Sequence, residues 1–166
     1  FLRPGRRVVD LGAVPGAWCQ IAVARTGSAE GSGALVIGVD ILEMESMNGA
    51  EIMQLDVREP DAPDIIRKAA NGPVDVVISD LAPSTTGHAP TDHIRIVALV
   101  EIGLDFALSV LKPGGTFVAK VFKGGAEGDL LDQLKANFKT VKHAKPASSR
   151  PESAETYVVA LGFKGT

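Results

Sequence analysis

Short apolar runs alternate along the chain with segments in which apolar residues recur every three or four positions. The runs have the length of strands that are buried on both faces, and the periodic segments are long enough for helices. The cluster Lys112-Pro113-Gly114-Gly115 predicts the end of the longest helix. The pattern predicts strands at residues 8–12, 35–39, 51–55, 74–79, 116–122, 138–143 and 156–163. It predicts helices at residues 16–26, 60–70, 92–111 and 127–137.

This alternation predicts an α/β fold whose sheet is mostly parallel and is covered by helices on both faces. Seven strands fit a doubly wound arrangement. The last two strands are separated by residues 144–155, which show no clear helical pattern, so we expect an antiparallel final hairpin. Because the chain contains no internal repeat, low-complexity tract or linker, we interpret residues 1–166 as a single domain.

Composition excludes several classes of protein. Apolar residues make up 45% of the chain and charged residues 22%, which is typical of a globular domain and not of a disordered or fibrous protein. No apolar run reaches the ~18 residues that a membrane-spanning helix needs. The single cysteine, Cys19, excludes an internal disulfide and a thiolate zinc site.

The net charge of −3 hides a strong asymmetry. Residues 1–111 hold 8 Lys or Arg and 15 Asp or Glu, whereas residues 112–166 hold 9 and 5. A basic third in an otherwise acidic chain favours a surface that faces a polyanion, although a solvated basic face is the simpler alternative. The basic residues that crowd this third are Lys112, Lys123, Lys135, Lys139, Lys142, Lys145 and Arg150.

A glycine-containing turn follows the first predicted strand, in the sequence Asp10-Leu11-Gly12-Ala13-Val14-Pro15-Gly16. Gly12 and Gly16 permit close approach of a ligand to the backbone, although a plain strand-to-helix turn has the same residues. The spacing differs from the dinucleotide pattern G-x-G-x-x-G, and Asp10 would repel a phosphate but can hold a cationic group. Trp18 is suited to cover a ligand here or to join the core. Cys19 is interpreted as a packing residue.

Acidic residues follow four successive predicted strands: Asp10, Asp40, Asp56 and Asp80. Ligands of such sheets lie outside the carboxyl ends of the strands, where Asp40 is placed to bind a ribose diol and Asp56 an adenine amino group. Each of these acids can instead be a helix cap or a solvated turn residue. Together they favour a cationic adenosine ligand without phosphate, a description that fits S-adenosylmethionine.

Lys120 interrupts an apolar run, Phe117-Val118-Ala119-Lys120-Val121-Phe122. A lysine in a strand that is covered on both faces is costly unless it is paired or lies at the strand end. One interpretation is a lysine that snorkels from the strand end. The other is that Lys120 points into the cleft beside Asp80, where it can activate a weakly acidic hydroxyl. Glu155 begins the last strand, either as an exposed turn acid or as a partner that orients Lys120.

The sequence carries an ordered series of motifs: Asp10 to Trp18; Ser79-Asp80-Leu81-Ala82-Pro83 with Gly87 and Asp92-His93; Leu111 to Gly115; Val118 to Phe122; and Lys145-Pro146, Ser148-Ser149-Arg150, Ser153, Glu155 and Tyr157. With these motifs the chain resembles the FtsJ/RrmJ family of S-adenosylmethionine-dependent ribose 2′-O-methyltransferases, from residue 2 to residue 162. The resemblance implies a Rossmann-like methyltransferase fold. It also implies contacts to the cofactor from Gly16, Trp18, Asp40, Asp56 and Asp80.

The family uses a Lys-Asp-Lys-Glu tetrad, and Asp80, Lys120 and Glu155 match its second, third and fourth members. The resemblance implies that Lys120 activates the 2′-hydroxyl, that Asp80 aligns the lysine with the cofactor, and that Glu155 tunes the lysine. In the family the first lysine lies on a helix upstream of the glycine turn. Because this chain reaches a strand pattern within six residues of Phe1, we expect that helix to be missing and the active site to be incomplete.

The acceptor is expected to be a hydroxyl, since amine methyltransferases of this fold often carry Asn/Asp-Pro-Pro-Tyr where this chain has Asp80-Leu81-Ala82-Pro83. The resemblance implies a uridine of large-subunit ribosomal RNA, free or in the assembled subunit. Alternatives are transfer RNA, a messenger RNA cap, a small molecule, or a catalytically silent RNA-binding assembly factor. We expect no metal, because His88 and His93 near Asp92 lack further ligands. We expect a monomer in the bacterial cytoplasm, or in mitochondria for a eukaryotic source.

Overall fold

A computed structural model describes residues 1–81, 89–122, 128–144 and 155–165, with the backbone alone described at 89–94, 96, 122 and 155. The strands in these ranges are β1 (Arg7–Leu11), β2 (Leu35–Asp40), β3 (Glu51–Gln54), β4 (Val74–Ser79), β5 (Leu111–Phe122), β6 (Phe138–Ala144) and β7 (Glu155–Phe163). The helices are α1 (Ala17–Thr26), α2 (Ala62–Ala69), α3 (Ala89–Val110) and α4 (Gly128–Asn137), with a short 3-10 helix at Ser28–Glu30. No helix in the described ranges is long and apolar enough to cross a membrane.

All seven strands join one sheet in the order β3-β2-β1-β4-β5-β7-β6. Strands β1 to β5 are parallel, and β7 runs antiparallel to both β5 and β6. The order reverses between β1 and β4, because the chain moves outward from β1 to β3 and then returns to the other side of β1. Ligands of doubly wound sheets bind at this point, outside the carboxyl ends of the strands. The predicted Rossmann-like α/β fold, with its antiparallel last strand, is confirmed.

Alternate residues of the central strands face two separate apolar clusters, as the two-residue period of a strand requires. Val9 and Leu11 face the larger cluster, which is covered by α2, α3 and α4, whereas Val8 faces the smaller cluster beneath α1. Phe117 and Phe138 stack in the larger cluster with ring centroids 6.4 Å apart. Each such fully buried side chain contributes about 1.5–3 kcal/mol of stability through its removal from water.

The structure differs from the predicted elements mainly around α3 and β5. Helix α3 starts at Ala89 instead of residue 92, and the Lys112–Gly115 cluster ends it at Val110 as predicted. Strand β5 then begins directly at Leu111 instead of residue 116. The reason is that Leu111 pairs with Val74 before the proline and glycines shift the register, after which pairing resumes between Thr116 and Val76.

Candidate active site at the carboxyl ends of the strands

The turn after β1 ties together the ends of three neighbouring strands. Gly12 adopts a left-handed φ of 71° and donates its N–H to Val39 O at 2.9 Å. A Cβ at Gly12 would lie 2.9 Å from the carbonyl oxygen of Asp80, so the two backbone segments can approach only where there is no side chain. Asp80 in turn donates its N–H to Leu11 O at 2.9 Å. The predicted site residues Gly12 and Asp80 therefore lie in contact at the point where the strand order reverses.

Gly16 lies at the other end of this turn, as the N-cap residue of α1. The side chains of Met44 and Met47, from the segment after β2, lie next to it, and a Cβ at Gly16 would be 3.1 Å from Met47 Cε. The first N–H groups of any helix lack partners within the helix. The start of α1 therefore lies near the carboxyl ends of β1 and β2, next to the apolar side chains of Met44 and Met47.

Asp10 lies in β1 with its side chain fully buried under α1. Its Oδ2 accepts a hydrogen bond from the Cys19 thiol at 3.2 Å, and its Oδ1 has no hydrogen-bond partner among the described residues. Burial raises the pKa of Asp10, the nearby Asp80 and Asp40 carboxylates add to this effect, and the hydrogen bond from Cys19 opposes it. The net result is a pKa of about 7. Asp10 is therefore a buried acid with one unused oxygen, in the middle of the site.

Asp40 ends β2 and holds the neighbouring loops with both carboxylate oxygens. Oδ2 accepts the N–H of Val14 at 3.0 Å, and Oδ1 accepts the N–H of Leu42 at 2.9 Å. A carboxylate oxygen can accept more than one hydrogen bond, so Asp40 keeps acceptor capacity at the strand end. This is the position at which the sequence predicted a partner for a ribose diol.

Asp56, which follows β3, is engaged by Arg58. The guanidinium of Arg58 donates from Nε to Oδ1 at 3.0 Å and from Nη2 to Oδ2 at 2.8 Å, and the Arg58 backbone N–H also reaches Oδ1 at 2.9 Å. These hydrogen bonds, from the side chain first, lower the pKa of Asp56. The side chain of Arg58 is 64% exposed. Asp56 therefore lies in a turn that Arg58 holds, and an adenine contact would have to share this carboxylate with an exposed arginine.

Lys120 points toward Asp80, on the face of the sheet that carries α1. Its Nζ lies 3.1 Å from Asp80 Oδ1, and the two side chains are 15% and 27% exposed. Of the two interpretations of Lys120, the structure supports the one in which it lies in the cleft beside Asp80. Glu155 is the first residue of β7 and pairs with Phe122. The Glu155 side chain lies outside the described part, so its role stays a prediction.

Trp18 and Tyr157 form an aromatic pair next to Lys120. Tyr157 lies directly opposite Lys120 in the β5–β7 ladder, where side chains share one face. The Trp18 and Tyr157 rings meet edge to face with centroids 5.6 Å apart, and Trp18 Nε1 donates to the Tyr157 hydroxyl at 3.4 Å. Trp18 therefore packs on the smaller cluster and also borders the cleft.

Sequence reasoning gave no site role to three residues that the structure places here: Tyr157, Arg58 and Cys19. The position of Tyr157, two residues after Glu155 in the last strand, was an available signal, because alternation puts both residues on one face. The predicted loop residue His88 lies outside the described part, as does the side chain of His93. In the described ranges, no group of three or more His, Cys, Asp or Glu side chains is arranged to hold a metal ion.

Comparisons with known proteins identify relatives of the whole chain. A model of the FtsJ-like methyltransferase family matches residues 1–163. The protein named Ribosomal RNA large subunit methyltransferase E from Paramagnetospirillum magneticum is 60% identical over 167 residues, which cover 100% of this chain and 68% of that protein. Its namesake from Maricaulis maris is 55% identical over 165 residues, covering 99% and 57%. The chain thus spans between about half and about two thirds of the length of these two relatives.

Solved structures match the same fold. A structure described as a ribosomal RNA methyltransferase from Plasmodium falciparum superposes with a TM-score of 0.85 at 24% identity, covering 100% of this chain and 91% of that one. Human methyltransferase-like protein 13, solved in complex with SAH, superposes with a TM-score of 0.61 at 14% identity, covering 96% and 73%. At these identities the likeness establishes the fold.

Proposed function

Because the chain belongs to the FtsJ-like methyltransferase family, we propose that it transfers a methyl group from S-adenosylmethionine to a ribose 2′-hydroxyl of RNA. The acceptor is a uridine of large-subunit ribosomal RNA, a choice supported by relatives named for that RNA. The observation that carries the proposal is the contact between Lys120 and Asp80 at the carboxyl edge of β4 and β5. A lysine held at this edge suits activation of a hydroxyl.

The residues of the site fit S-adenosylmethionine. Asp10 offers a buried carboxylate oxygen without a described partner, which suits a cationic group. Asp40 keeps acceptor capacity for a ribose diol. Gly12 and Gly16, with Trp18, Asp56 and Asp80, line the same edge and complete the proposed cofactor set. When bound, the cofactor supplies an electrophilic methyl group on a sulfonium with a good leaving group.

The task of the protein is to position and activate a weakly acidic hydroxyl. An ammonium at Lys120 Nζ lowers the pKa of a hydroxyl that it touches and stabilises the oxyanion that forms, and a neutral amine at the same atom accepts the proton. Both routes require Nζ at one fixed place. Asp80 holds Nζ in this place through its 3.1 Å contact. We assign to Glu155, at the start of β7, the role of tuning the reactivity of Lys120. Positioning of this kind contributes a large share of the rate in group transfer.

Exposed lysines near the β6 edge are the proposed RNA contacts. Lys139 and Lys142 are exposed in β6, the outer strand next to β7. Two strand spacings separate β6 from Lys120, a distance of roughly 10 Å. Phosphate contacts by these lysines would hold an RNA segment while one nucleotide enters the cleft, without reading its sequence.

Several further parts of the proposal concern the protein as a whole. We propose that residues 1–166 act as one methyltransferase domain, as a monomer and without a metal. A cytoplasmic location is supported by the bacterial sources of the relatives. The substrate is either free ribosomal RNA or the assembled large subunit.

A methyl-transfer assay tests this function. The full-length protein is incubated with S-adenosylmethionine carrying a tritiated methyl group and with unmodified large subunits, free large-subunit RNA or transfer RNA. Tritium in an alkali-resistant dinucleotide is expected, because a 2′-O-methyl group blocks cleavage of the adjacent phosphodiester. Label in an alkali-labile product, in transfer RNA alone or in no RNA would contradict the proposal. Cofactor binding by calorimetry without transfer to any RNA would favour a silent assembly factor.

A further inference from the structure

The buried thiol of Cys19 contacts the cofactor site through Asp10. Cys19 lies in the first turns of α1 and is fully buried. Its Sγ is 3.2 Å from Asp10 Oδ2, within the range of a sulfur hydrogen bond. Burial raises the pKa of the Cys19 thiol well above its ordinary value, as does the neighbouring Asp10 carboxylate, so the sulfur keeps its proton and acts as the donor. The structure thus provides one hydrogen bond to one oxygen of Asp10.

The thiol has a fixed place because Gly38 leaves room for it. Gly38 pairs with Asp10 across β1 and β2. A Cβ at Gly38 would lie 2.8 Å from Cys19 Sγ and 3.3 Å from Ala13 Cβ, so the sulfur occupies the space that a side chain on β2 would fill. Since Cys19 is packed between α1 and β2, it can hold the Asp10 carboxylate in one orientation.

The second oxygen of the same carboxylate points to a ligand. Asp10 Oδ1 is fully buried and has no hydrogen-bond partner among the described residues, an arrangement that is costly unless something binds there. The charged groups that face it are the Asp40 and Asp80 carboxylates, and Lys120 is paired with Asp80. The site around Oδ1 is therefore acidic and suits a cationic group.

We propose that Cys19 is a positioning residue for cofactor binding: its thiol fixes Oδ2 of Asp10, so that Oδ1 is presented to a positively charged group of S-adenosylmethionine. This inference rests on the proposed function, since it takes the cofactor as the ligand. It assigns to Cys19 a role beyond packing. Only a side chain of similar size with a hydrogen to donate can replace it, which singles out serine.

Binding of S-adenosylmethionine to three variants tests the inference by calorimetry between pH 5.5 and 8.5. Cys19→Ala removes the donor, Cys19→Ser keeps a donor of similar size, and Val36→Ala truncates a buried side chain of the same apolar cluster that has no polar contact. We expect Cys19→Ala to weaken binding about 3- to 10-fold, the effect of removing one ordinary hydrogen bond, because a thiol is a weak donor. Cys19→Ser should stay within about 2-fold of the parent, as the retained donor requires. Val36→Ala should lower the melting temperature without weakening binding.

The pH profile provides a readout that packing alone would not move. A cation binds the charged form of Asp10, so affinity should rise with pH, and the hydrogen bond from Cys19 favours that charged form. Cys19→Ala should therefore shift the midpoint of the rise to higher pH, and Cys19→Ser should restore it. Equal loss of affinity in Cys19→Ala and Val36→Ala, or an unchanged midpoint in Cys19→Ala, would overturn the positioning role. Absence of binding by the parent chain would instead refute the proposed function.

Discussion

Lys120 of β5 lies against Asp80, the residue that follows β4, with 3.1 Å between Nζ and Oδ1. Both side chains are more than two thirds buried, so the attraction between them is screened less than in a surface pair. The pair lies where the ends of β1, β4 and β5 meet. This geometry gives Lys120 one defined position at the proposed acceptor hydroxyl.

Replacement of Lys120 by alanine should abolish methyl transfer and spare cofactor binding. General acid–base catalysis by a positioned side chain contributes about 10²- to 10⁴-fold, so we expect turnover in the tritium assay to fall by that factor. The dissociation constant of S-adenosylmethionine should change by less than about 3-fold, because no strong cofactor hydrogen bond is removed.

Two variants act as controls for Lys120→Ala. Lys68→Ala removes an exposed lysine from α2, on the opposite side of the sheet from α1, and should leave turnover unchanged. Lys120→Arg keeps the charge but changes the shape of the donor, and we expect partial activity at most. Normal turnover in Lys120→Ala would rule out the assigned role.

The arrangement of strand ends could be predicted from the sequence because it follows from the parallel α/β pattern. Once β1 to β4 are recognised, Asp10, Asp40 and Asp80 must lie at one edge of the sheet. The same logic reduced Lys120 to two interpretations, a lysine that snorkels from the strand end and one that lies beside Asp80, and the structure shows the second. The element bounds were less accurate around Leu111, where a shift of register extends β5 through a proline and two glycines.

The contacts of individual side chains at this edge could not be predicted in the same way. The hydrogen bond between Cys19 and Asp10 depends on the rotation of α1 above β2, which is set by the space at Gly38, and nothing local in the sequence reports that rotation. The binding of Asp56 by Arg58 depends on a side-chain conformation in a short turn. Sequence reasoning therefore placed these acids at the edge of the sheet but did not find the partners of Asp10 and Asp56.

Asp56→Ala should weaken cofactor binding without changing stability. If Asp56 contacts the adenine amino group, loss of the carboxylate removes a hydrogen bond worth about 1 kcal/mol, or roughly 5-fold in the dissociation constant. Its pair with Arg58 is exposed and contributes little to folding. Calorimetry with S-adenosylmethionine measures the first effect, and thermal unfolding measures the second.

Asp64→Ala is the matched control for Asp56→Ala. Asp64 also pairs with an exposed arginine, Arg67, at 2.8 Å, but it lies in the first turn of α2 and not directly after a strand. We expect no change in cofactor binding for this variant. If both variants bind the cofactor as tightly as the parent, Asp56 is only a turn residue.

Neutralising the exposed lysines of β6 should reduce the salt dependence of RNA binding. Lys139→Gln and Lys142→Gln remove the charge and keep most of the aliphatic stem, which for Lys139 packs over Gly162. The association constant K for RNA falls with salt, so log K against log salt has a negative slope. Removal of one phosphate-binding lysine should make this slope less steep by about 0.7–0.9. Filter binding to large-subunit RNA across a salt series measures this slope. Lys68→Gln is the control, and an equal change in all three variants would indicate a general charge effect.

Asp75→Asn should destabilise the protein at neutral pH and leave the active site intact. Asp75 lies near the amino end of β4, where it accepts hydrogen bonds from Arg7 N at 2.8 Å and Arg6 Nη1 at 3.1 Å and pairs with Lys112. Burial alone would raise the pKa of Asp75, but the hydrogen bonds from Arg7, Lys112 and Arg6 outweigh it and lower the pKa below its ordinary value. The charged form is therefore the one that stabilises the fold.

The expected loss for Asp75→Asn is about 2 kcal/mol, since hydrogen bonds to a charged group are worth roughly 1.5–3 kcal/mol and the partly exposed cations are screened by solvent. A carboxyl group whose pKa is lowered in the folded protein stabilises the fold at pH values above its ordinary pKa. This contribution to the free energy of unfolding is lost as the pH falls. The difference between parent and variant in urea unfolding should accordingly shrink from pH 7 to pH 3. Asp61→Asn, at an exposed position with no side-chain cap, is the control. A loss that stayed the same at both pH values would show that the charge of Asp75 contributes nothing.

Asp10 should make the cofactor-free protein less stable as pH rises, the reverse of the effect of Asp75. The folded pKa of Asp10 is raised to about 7 from its ordinary value of 3.8, mainly by burial, so the folded protein keeps a proton that the unfolded chain releases. The stability linked to this proton is fully present below pH 4 and is lost as pH rises through 7, over a span of about 4 kcal/mol at most. Urea unfolding between pH 5 and pH 8 measures this slope.

Asp10→Asn removes the titration at this position and isolates its contribution. Other groups that titrate in this range are common to both proteins and cancel in the difference. We expect the variant to match the parent at pH 5 to within about 1 kcal/mol and to be the more stable protein at pH 8. It should also bind S-adenosylmethionine more weakly, because a neutral amide cannot balance a cation. Parallel pH slopes for parent and variant would mean that Asp10 is charged in the folded protein throughout this range. The combination of a stability gain with a binding loss is expected of a buried charge that is kept for its ligand.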